Sequence, residues 1–75
     1  MLTQTPITDI ATLREHLTFN RTLLLYFKDS RMPANIITVR GNSVYVQHAG
    51  RFFWQRIGNK NIDKIVLSEF KSEVV

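Results

Sequence analysis

Residues 22–48 read TLLLYFKDSRMPANIITVRGNSVYVQH, and this stretch decides the fold. Three runs rich in aromatic and β-branched residues, at 23–27, 34–39 and 43–46, are separated by short polar turns. Such spacing is typical of an antiparallel β-meander. In the third run Val44 and Val46 alternate with polar or amphipathic residues, which predicts that the two valines face inward.

The segments on either side complete a small domain. Residues 6–18 predict a helix, with Thr5 and Pro6 as its start or Thr8 as an alternative N-cap. Its apolar residues recur at helical spacing: Ile7, Ile10, Leu13 and Leu17. Two more strands follow the meander. We therefore expect a mainly β fold with one N-terminal helix, in the order α-β-β-β-β-β, as a strongly bent antiparallel sheet or a small closed barrel.

The 75 residues predict a single domain spanning residues 1–75. Within it we expect a loose arm at 1–5, the helix at 6–18, a five-stranded sheet over 22–67 and a polar tail at 68–75. The chain has no cysteine to staple so small a core, which favours a homo-oligomer. It has neither a signal-peptide pattern nor a long apolar run, so we expect a cytoplasmic protein with no membrane partner.

The charge is basic and unevenly distributed. Ten Lys and Arg oppose six Asp and Glu, and between Arg14 and Lys64 nine basic residues oppose only three acidic ones. Such an excess favours polyanions, because cations near phosphates release bound counterions. The partners that fit this charge are RNA or an acidic protein.

No group of residues suggests catalysis. His16 and His48 are the two histidines, and their spacing brings them neither to each other nor to a pair of carboxylates. The glycines form no phosphate-binding loop. We expect no enzyme, no metal site and no cofactor.

Three short segments resemble the Sm-like (LSm/Hfq) family of RNA-binding proteins over roughly residues 10–67. These segments are Leu13-Arg14-Glu15, Leu24-Leu25-Tyr26-Phe27 and Arg31-Met32-Pro33-Ala34-Asn35-Ile36. Ala34 stands where the family has a glycine, and residues 40–42 and 58–60 depart from the family's loop signatures. The resemblance implies an Sm/SH3-like barrel that assembles into a ring by edge pairing between its fourth and fifth strands.

The same resemblance implies a non-enzymatic RNA-binding function and assigns residues to it. On one face Tyr26, Arg31 and Met32 would contact adenine-rich RNA, with Tyr26 stacking on a base. The other implied RNA-binding residues are Asn42 and Lys60 near a ring pore and Arg14 and Arg21 in a lateral basic patch. The simpler interpretation makes Tyr26 a core aromatic and Met32 a core filler.

The most aromatic segment, RFFWQR at residues 51–56, allows two arrangements. If Phe53 packs inward, Phe52 and Trp54 are displayed beside Arg56 as a stacking platform or a protein hot spot. If Phe52 and Trp54 pack inward, that surface disappears, and this is the plainer expectation. The first arrangement supports an alternative function, a small protein-binding adaptor or inhibitor that uses Phe52, Trp54 and Arg56.

Overall fold

The fold is a single antiparallel sheet with one short helix in the part of the chain that the structure describes. The structure, a computed structural model, describes residues 2–70. The elements are β1 (Leu2–Pro6), α1 (Ile10–Thr18), β2 (Leu23–Phe27), β3 (Ala34–Arg40), β4 (Ser43–His48), β5 (Arg51–Arg56) and β6 (Ile62–Phe70). The strands lie in the order β1-β6-β2-β3-β4-β5. The predicted mainly β fold with an N-terminal helix is confirmed.

The predicted loose arm at residues 1–5 and the predicted count of five strands are both wrong, because residues 2–6 form a sixth strand, β1, ahead of the helix. This strand pairs antiparallel with β6, with Thr5 opposite Leu67 and Pro6 opposite Val66. Pro6 is tolerated because it ends a strand at the edge of the sheet. The predicted tail is also partly wrong, since β6 continues through residues 68–70 to pair with β1. Residues 71–75 of that tail, and Met1 of the arm, lie outside the described residues.

The sheet bends strongly but does not close, so the closed-barrel form of the prediction is wrong. Among residues 2–70, β1 and β5 each pair on one side only. The bend is visible in the contact between Phe27 of β2 and Phe53 of β5, whose ring centroids lie 6.1 Å apart. These two strands are separated by β3 and β4 in the sheet, so their rings meet only because the sheet curls over its own core.

The core lies on the inner face of the curled sheet. Its largest fully buried side chains are Leu13 of α1, Leu23 and Leu25 of β2, and Val44 and Val46 of β4. The inward orientation predicted for the two valines is confirmed. Leu13 attaches the helix to this core, and burial of side chains of this size contributes about 1.5–3 kcal/mol each.

The helix starts later than its sequence suggests. Neither Thr5 nor Thr8 is the N-cap; the cap is Asp9, whose carboxylate accepts a hydrogen bond from the Thr12 N–H at 3.1 Å. Residue 6 already belongs to β1, and the Ile7 N–H donates to the Ile65 carbonyl at 2.8 Å. The first residues of the predicted helix therefore pair with the sheet instead.

No helix within residues 2–70 is long and apolar enough to cross a membrane.

Asp9 makes helix stability depend on pH. Its carboxylate accepts hydrogen bonds from the Thr12 hydroxyl at 2.6 Å and from the Thr12 N–H, and these hold the pKa of Asp9 below its ordinary value of 3.8. A carboxylate whose pKa is lowered in the folded state stabilises the fold at pH values above its unfolded-state pKa. This stabilisation is lost as the pH falls through its folded-state pKa. We expect Asp9→Asn to show a smaller loss of unfolding free energy than the parent between about pH 7 and pH 3. Urea unfolding at both pH values checks this, and parallel losses in the two proteins contradict it.

The β4–β5 turn offers a stabilising substitution. Ala49 and Gly50 form this two-residue turn with φ of 52° and 78°, and a left-handed backbone is unfavourable for alanine. Asparagine adopts this conformation more readily, so we expect Ala49→Asn to raise the unfolding free energy by about 0.5–1 kcal/mol. Chemical unfolding measures the change, with Ala11→Asn on the exposed face of α1 as the matched control that should not stabilise. An unchanged or lower midpoint for Ala49→Asn refutes the prediction.

Candidate nucleic-acid interface

The outer face of β4 and β5 is set by the burial of the opposite face. Val44 and Val46 are fully buried, so the intervening Tyr45 must point away from the core. In the register of the hairpin, Tyr45 pairs with Trp54 and Gln47 pairs with Phe52. Paired residues project from the same face of a sheet, and Phe52 and Trp54 therefore lie beside Tyr45 on the outer surface.

Phe52, Tyr45 and Trp54 form one continuous surface, which we call the aromatic strip. The Tyr45 ring centroid is 5.7 Å from that of Phe52 and 5.1 Å from that of Trp54. Phe52 remains 53% exposed and Trp54 47% exposed. The plainer expectation for this segment is wrong: Phe53 is the ring that packs against the core, and Phe52 and Trp54 are displayed.

Two arginines stand at one end of the aromatic strip. Ser43 pairs with Arg40 of β3 on one side and with Arg56 of β5 on the other, so both arginines share its outer face. Both are exposed. The predicted residue Asn42 lies at this same end, because its carbonyl accepts a hydrogen bond from the Ile57 N–H at 2.8 Å. The surface thus joins three aromatic rings to two cations.

Tyr26 is neither a core residue nor an open stacking platform. It lies on β2 opposite Lys64 of β6, whose Nζ is 4.9 Å from the centre of the tyrosine ring. Its hydroxyl accepts a hydrogen bond from Gln4 Nε2 at 2.7 Å. A ring whose face carries a lysine and whose hydroxyl is bonded to β1 has less surface to offer a base than the aromatic strip has.

The other residues implied by the resemblance are spread over separate parts of the chain. Arg31 and Met32 are exposed in the loop between β2 and β3, with Met32 at 72%, and Lys60 is exposed in the loop between β5 and β6. Arg14 is exposed on α1. Within the described part of the chain, no hydrogen bond or aromatic contact joins these groups to Tyr26.

Arg21 is already engaged within the chain. It approaches His16 Nδ1 at 3.1 Å, forms an ion pair with Glu69 at 3.6 Å and lies over the Phe19 ring at 5.6 Å. The Arg21 and Glu69 side chains are partly exposed, so the ion pair contributes at most about 1 kcal/mol. The contacts nevertheless fix Arg21 at the end of α1, which is a structural role.

The described residues hold no group of three or more histidines, aspartates and glutamates that could bind a metal ion. The sequence interpretation missed Arg40 and Tyr45 as members of a surface. The signal that identifies them is the hairpin register, which depends on the two-residue turn at Ala49-Gly50.

Comparisons with protein-family models, with curated proteins and with solved structures give no significant match. The resemblance to the Sm-like family therefore stays a prediction.

The opposite orientations of Phe53 and Trp54 predict different costs of truncation. Trp54→Ala removes a half-exposed ring and its contact with Tyr45, so we expect a loss of about 1 kcal/mol in unfolding free energy. Phe53→Ala removes a ring that packs on Phe27 and the core, with an expected loss of about 3 kcal/mol. Urea unfolding of both variants measures the difference. Equal losses, or a larger loss for Trp54→Ala, contradict this assignment of faces.

Proposed function

We propose that this protein is a non-enzymatic RNA-binding protein that holds a single strand on its aromatic strip. The observation that carries the proposal is the contact of the Tyr45 ring with both Phe52 and Trp54 on an exposed sheet face. Nucleobases stack on such rings regardless of sequence, at about 1–3 kcal/mol per base. Three adjacent rings provide a platform for two or three successive bases of an unpaired strand.

The arginines supply the second component of single-strand binding. Arg40 and Arg56 lie at one end of the aromatic strip. In that position their guanidinium groups would contact the sugar-phosphate backbone of a strand stacked on the rings. The formal net charge of +4 attracts the strand over a longer range. Affinity that combines stacking with phosphate contacts falls with salt only through the phosphate component, which gives the proposal a measurable signature.

A protein partner is the second candidate, and the free edge of β5 favours it. Within residues 2–70 no strand pairs with the outer edge of β5, so its backbone groups are available to an added strand of another protein. Phe52 and Trp54 of the aromatic strip lie on that same strand with Arg56, and they provide the side chains typical of a protein hot spot. The net charge fits an acidic partner.

Self-association remains a prediction, and the fold restricts its geometry. The ring implied by the resemblance pairs the fourth and fifth predicted strands, which are β5 and β6. In this structure β6 is paired on both sides, by β1 and by β2. A ring of that kind requires β1 to leave β6, and the solution mass of the protein with and without residues 1–6 measures whether it does.

The RNA-binding proposal predicts a specific pattern of variants. With a fluorescently labelled single-stranded RNA of adenines or uridines, we expect Trp54→Ala to weaken binding by about 5- to 100-fold through lost stacking. Arg56→Gln should weaken binding and make the slope of log K against log salt less steep, by the amount that one phosphate contact contributes. Fluorescence anisotropy at two or more salt concentrations measures both effects.

Two matched variants separate this surface from the others. Phe19→Ala removes an aromatic ring that is 64% exposed but lies at the end of α1, and we expect unchanged affinity. Met32→Ala tests the face implied by the resemblance, and a loss there with no loss for Trp54→Ala moves the site to the β2–β3 loop. If the parent protein shows no salt-dependent binding at micromolar concentration, the proposal fails. Partners that survive nuclease in a pull-down and depend on Trp54 then establish the protein-binding alternative.

A further inference from the structure

A concave site lies on the inner side of β5, opposite the aromatic strip. It is a widely open cavity of about 340 Å³, formed where β2, β4 and β5 curl toward one another. Phe27, His48 and Phe53 supply its rings. Phe27 stacks on Phe53 at 6.1 Å and meets His48 edge-on at 5.3 Å. The volume is within the range of small-molecule sites, and the aromatic wall suits a flat ring.

The polar lining of the cavity defines which kind of ligand ring it can bind. Asp29, Ser30, Gln55 and Asn61 complete the wall of the cavity. His48 Nδ1 is buried and has no hydrogen-bond partner among the described residues. A carboxylate accepts hydrogen bonds only, whereas the amides and the hydroxyl both donate and accept. A lining with one carboxylate and no lysine or arginine favours a neutral ring that carries an amino group over a phosphate.

Cationic residues are the chain neighbours of several lining residues of the cavity. Lys28 and Arg31 are exposed and flank the lining residues Asp29 and Ser30 in the chain, and Lys60 is exposed and precedes Asn61. The two loops are joined by the hydrogen bond from the Lys28 N–H to the Asn61 carbonyl at 2.9 Å. A ligand with a neutral ring and an attached phosphate would meet both environments.

We propose that this cavity binds a nucleobase that carries an amino group, namely adenine, cytosine or guanine. The base stacks against Phe27 and Phe53, and its amino group donates a hydrogen bond to Asp29. The sugar and any phosphate remain outside, near the cations of the two loops. The base can come from a free nucleoside or nucleotide, or from an unstacked residue of an RNA strand. The proposal is independent of the aromatic strip, because the two sites lie on opposite faces of β5.

Free nucleosides test the cavity apart from phosphate contacts. We expect adenosine and cytidine to cause saturable NMR shifts of the Phe27, His48 and Phe53 ring signals. Purine riboside, which is adenosine without its amino group and has no N–H donor on the base, should bind at least several-fold more weakly. Binding in the millimolar range or tighter supports the proposal. Absence of saturable shifts up to about 10 mM nucleoside overturns it, as does equal binding of all three nucleosides.

Two variants examine the polar contacts. Asp29→Asn keeps the shape of the wall and loses the charged acceptor, and we expect about tenfold weaker adenosine binding. Asp63→Asn makes the same chemical change outside the cavity and should bind like the parent. His48→Phe keeps the ring beside Phe27, and its weaker binding would show that the unpartnered nitrogen contacts the base. Unchanged affinity in both Asp29→Asn and His48→Phe overturns the assignment.

Comparison with a short adenine-containing RNA distinguishes the sources of the base. If the RNA shifts the cavity signals and competes with adenosine, the site reads an unstacked residue of the strand; if only nucleosides or nucleotides do so, it is a small-molecule site. Adenosine shifts confined to Tyr45, Phe52 and Trp54 overturn the cavity and leave the RNA-binding proposal intact. Binding of adenosine in the cavity without RNA binding at the aromatic strip supports the cavity proposal and overturns the RNA-binding proposal.

Discussion

The burial of Val44 and Val46 is the constraint on which the functional surfaces depend. Because side chains alternate along a strand, fixing these two valines in the core forces Tyr45 outward. The hairpin register then fixes the orientation of the side chains on β5. Trp54 pairs with Tyr45 and points outward, and Phe53 pairs with Val46 and points inward. A slip of one residue in this pairing would exchange the two faces of β5 and bury Phe52 and Trp54.

The same register explains why β5 has a distinct chemistry on each side. On its outer side Phe52 and Trp54 contact the Tyr45 ring and remain about half exposed. On its inner side Phe53 reaches across the bend to Phe27. The sheet is open at β5, so the inner ring is not sealed into a barrel and a cavity remains beside it. The open edge therefore accounts for the cavity, whereas the hairpin register accounts for the aromatic strip.

Much of the fold could be predicted because it follows from patterns among residues that are close together in the sequence. The three runs within 22–48, the turns between them and the inward valines follow from alternation and turn residues. The strand at residues 2–6 could not be predicted in this way. Its Thr3, Gln4 and Thr5 show no hydrophobic alternation, and its pairing partner lies more than 60 positions away in β6. That pairing also displaces the helix start to Asp9.

The sites were harder to predict than the fold, for two different physical reasons. RFFWQR carries aromatic residues on both alternating faces, so hydrophobicity alone cannot say which face is buried. Only the pairing with Val46 decides it, and that is a property of two strands together. The cavity has no local signal, because Asp29, His48 and Asn61 come from three separate segments that the bend brings together. The excess of basic residues favours RNA as a partner, but charge acts over the whole surface and does not choose among its faces. The choice of the outer face of β5 therefore rests on the exposed rings, which lose water when a base stacks on them and would otherwise remain an uncovered apolar surface.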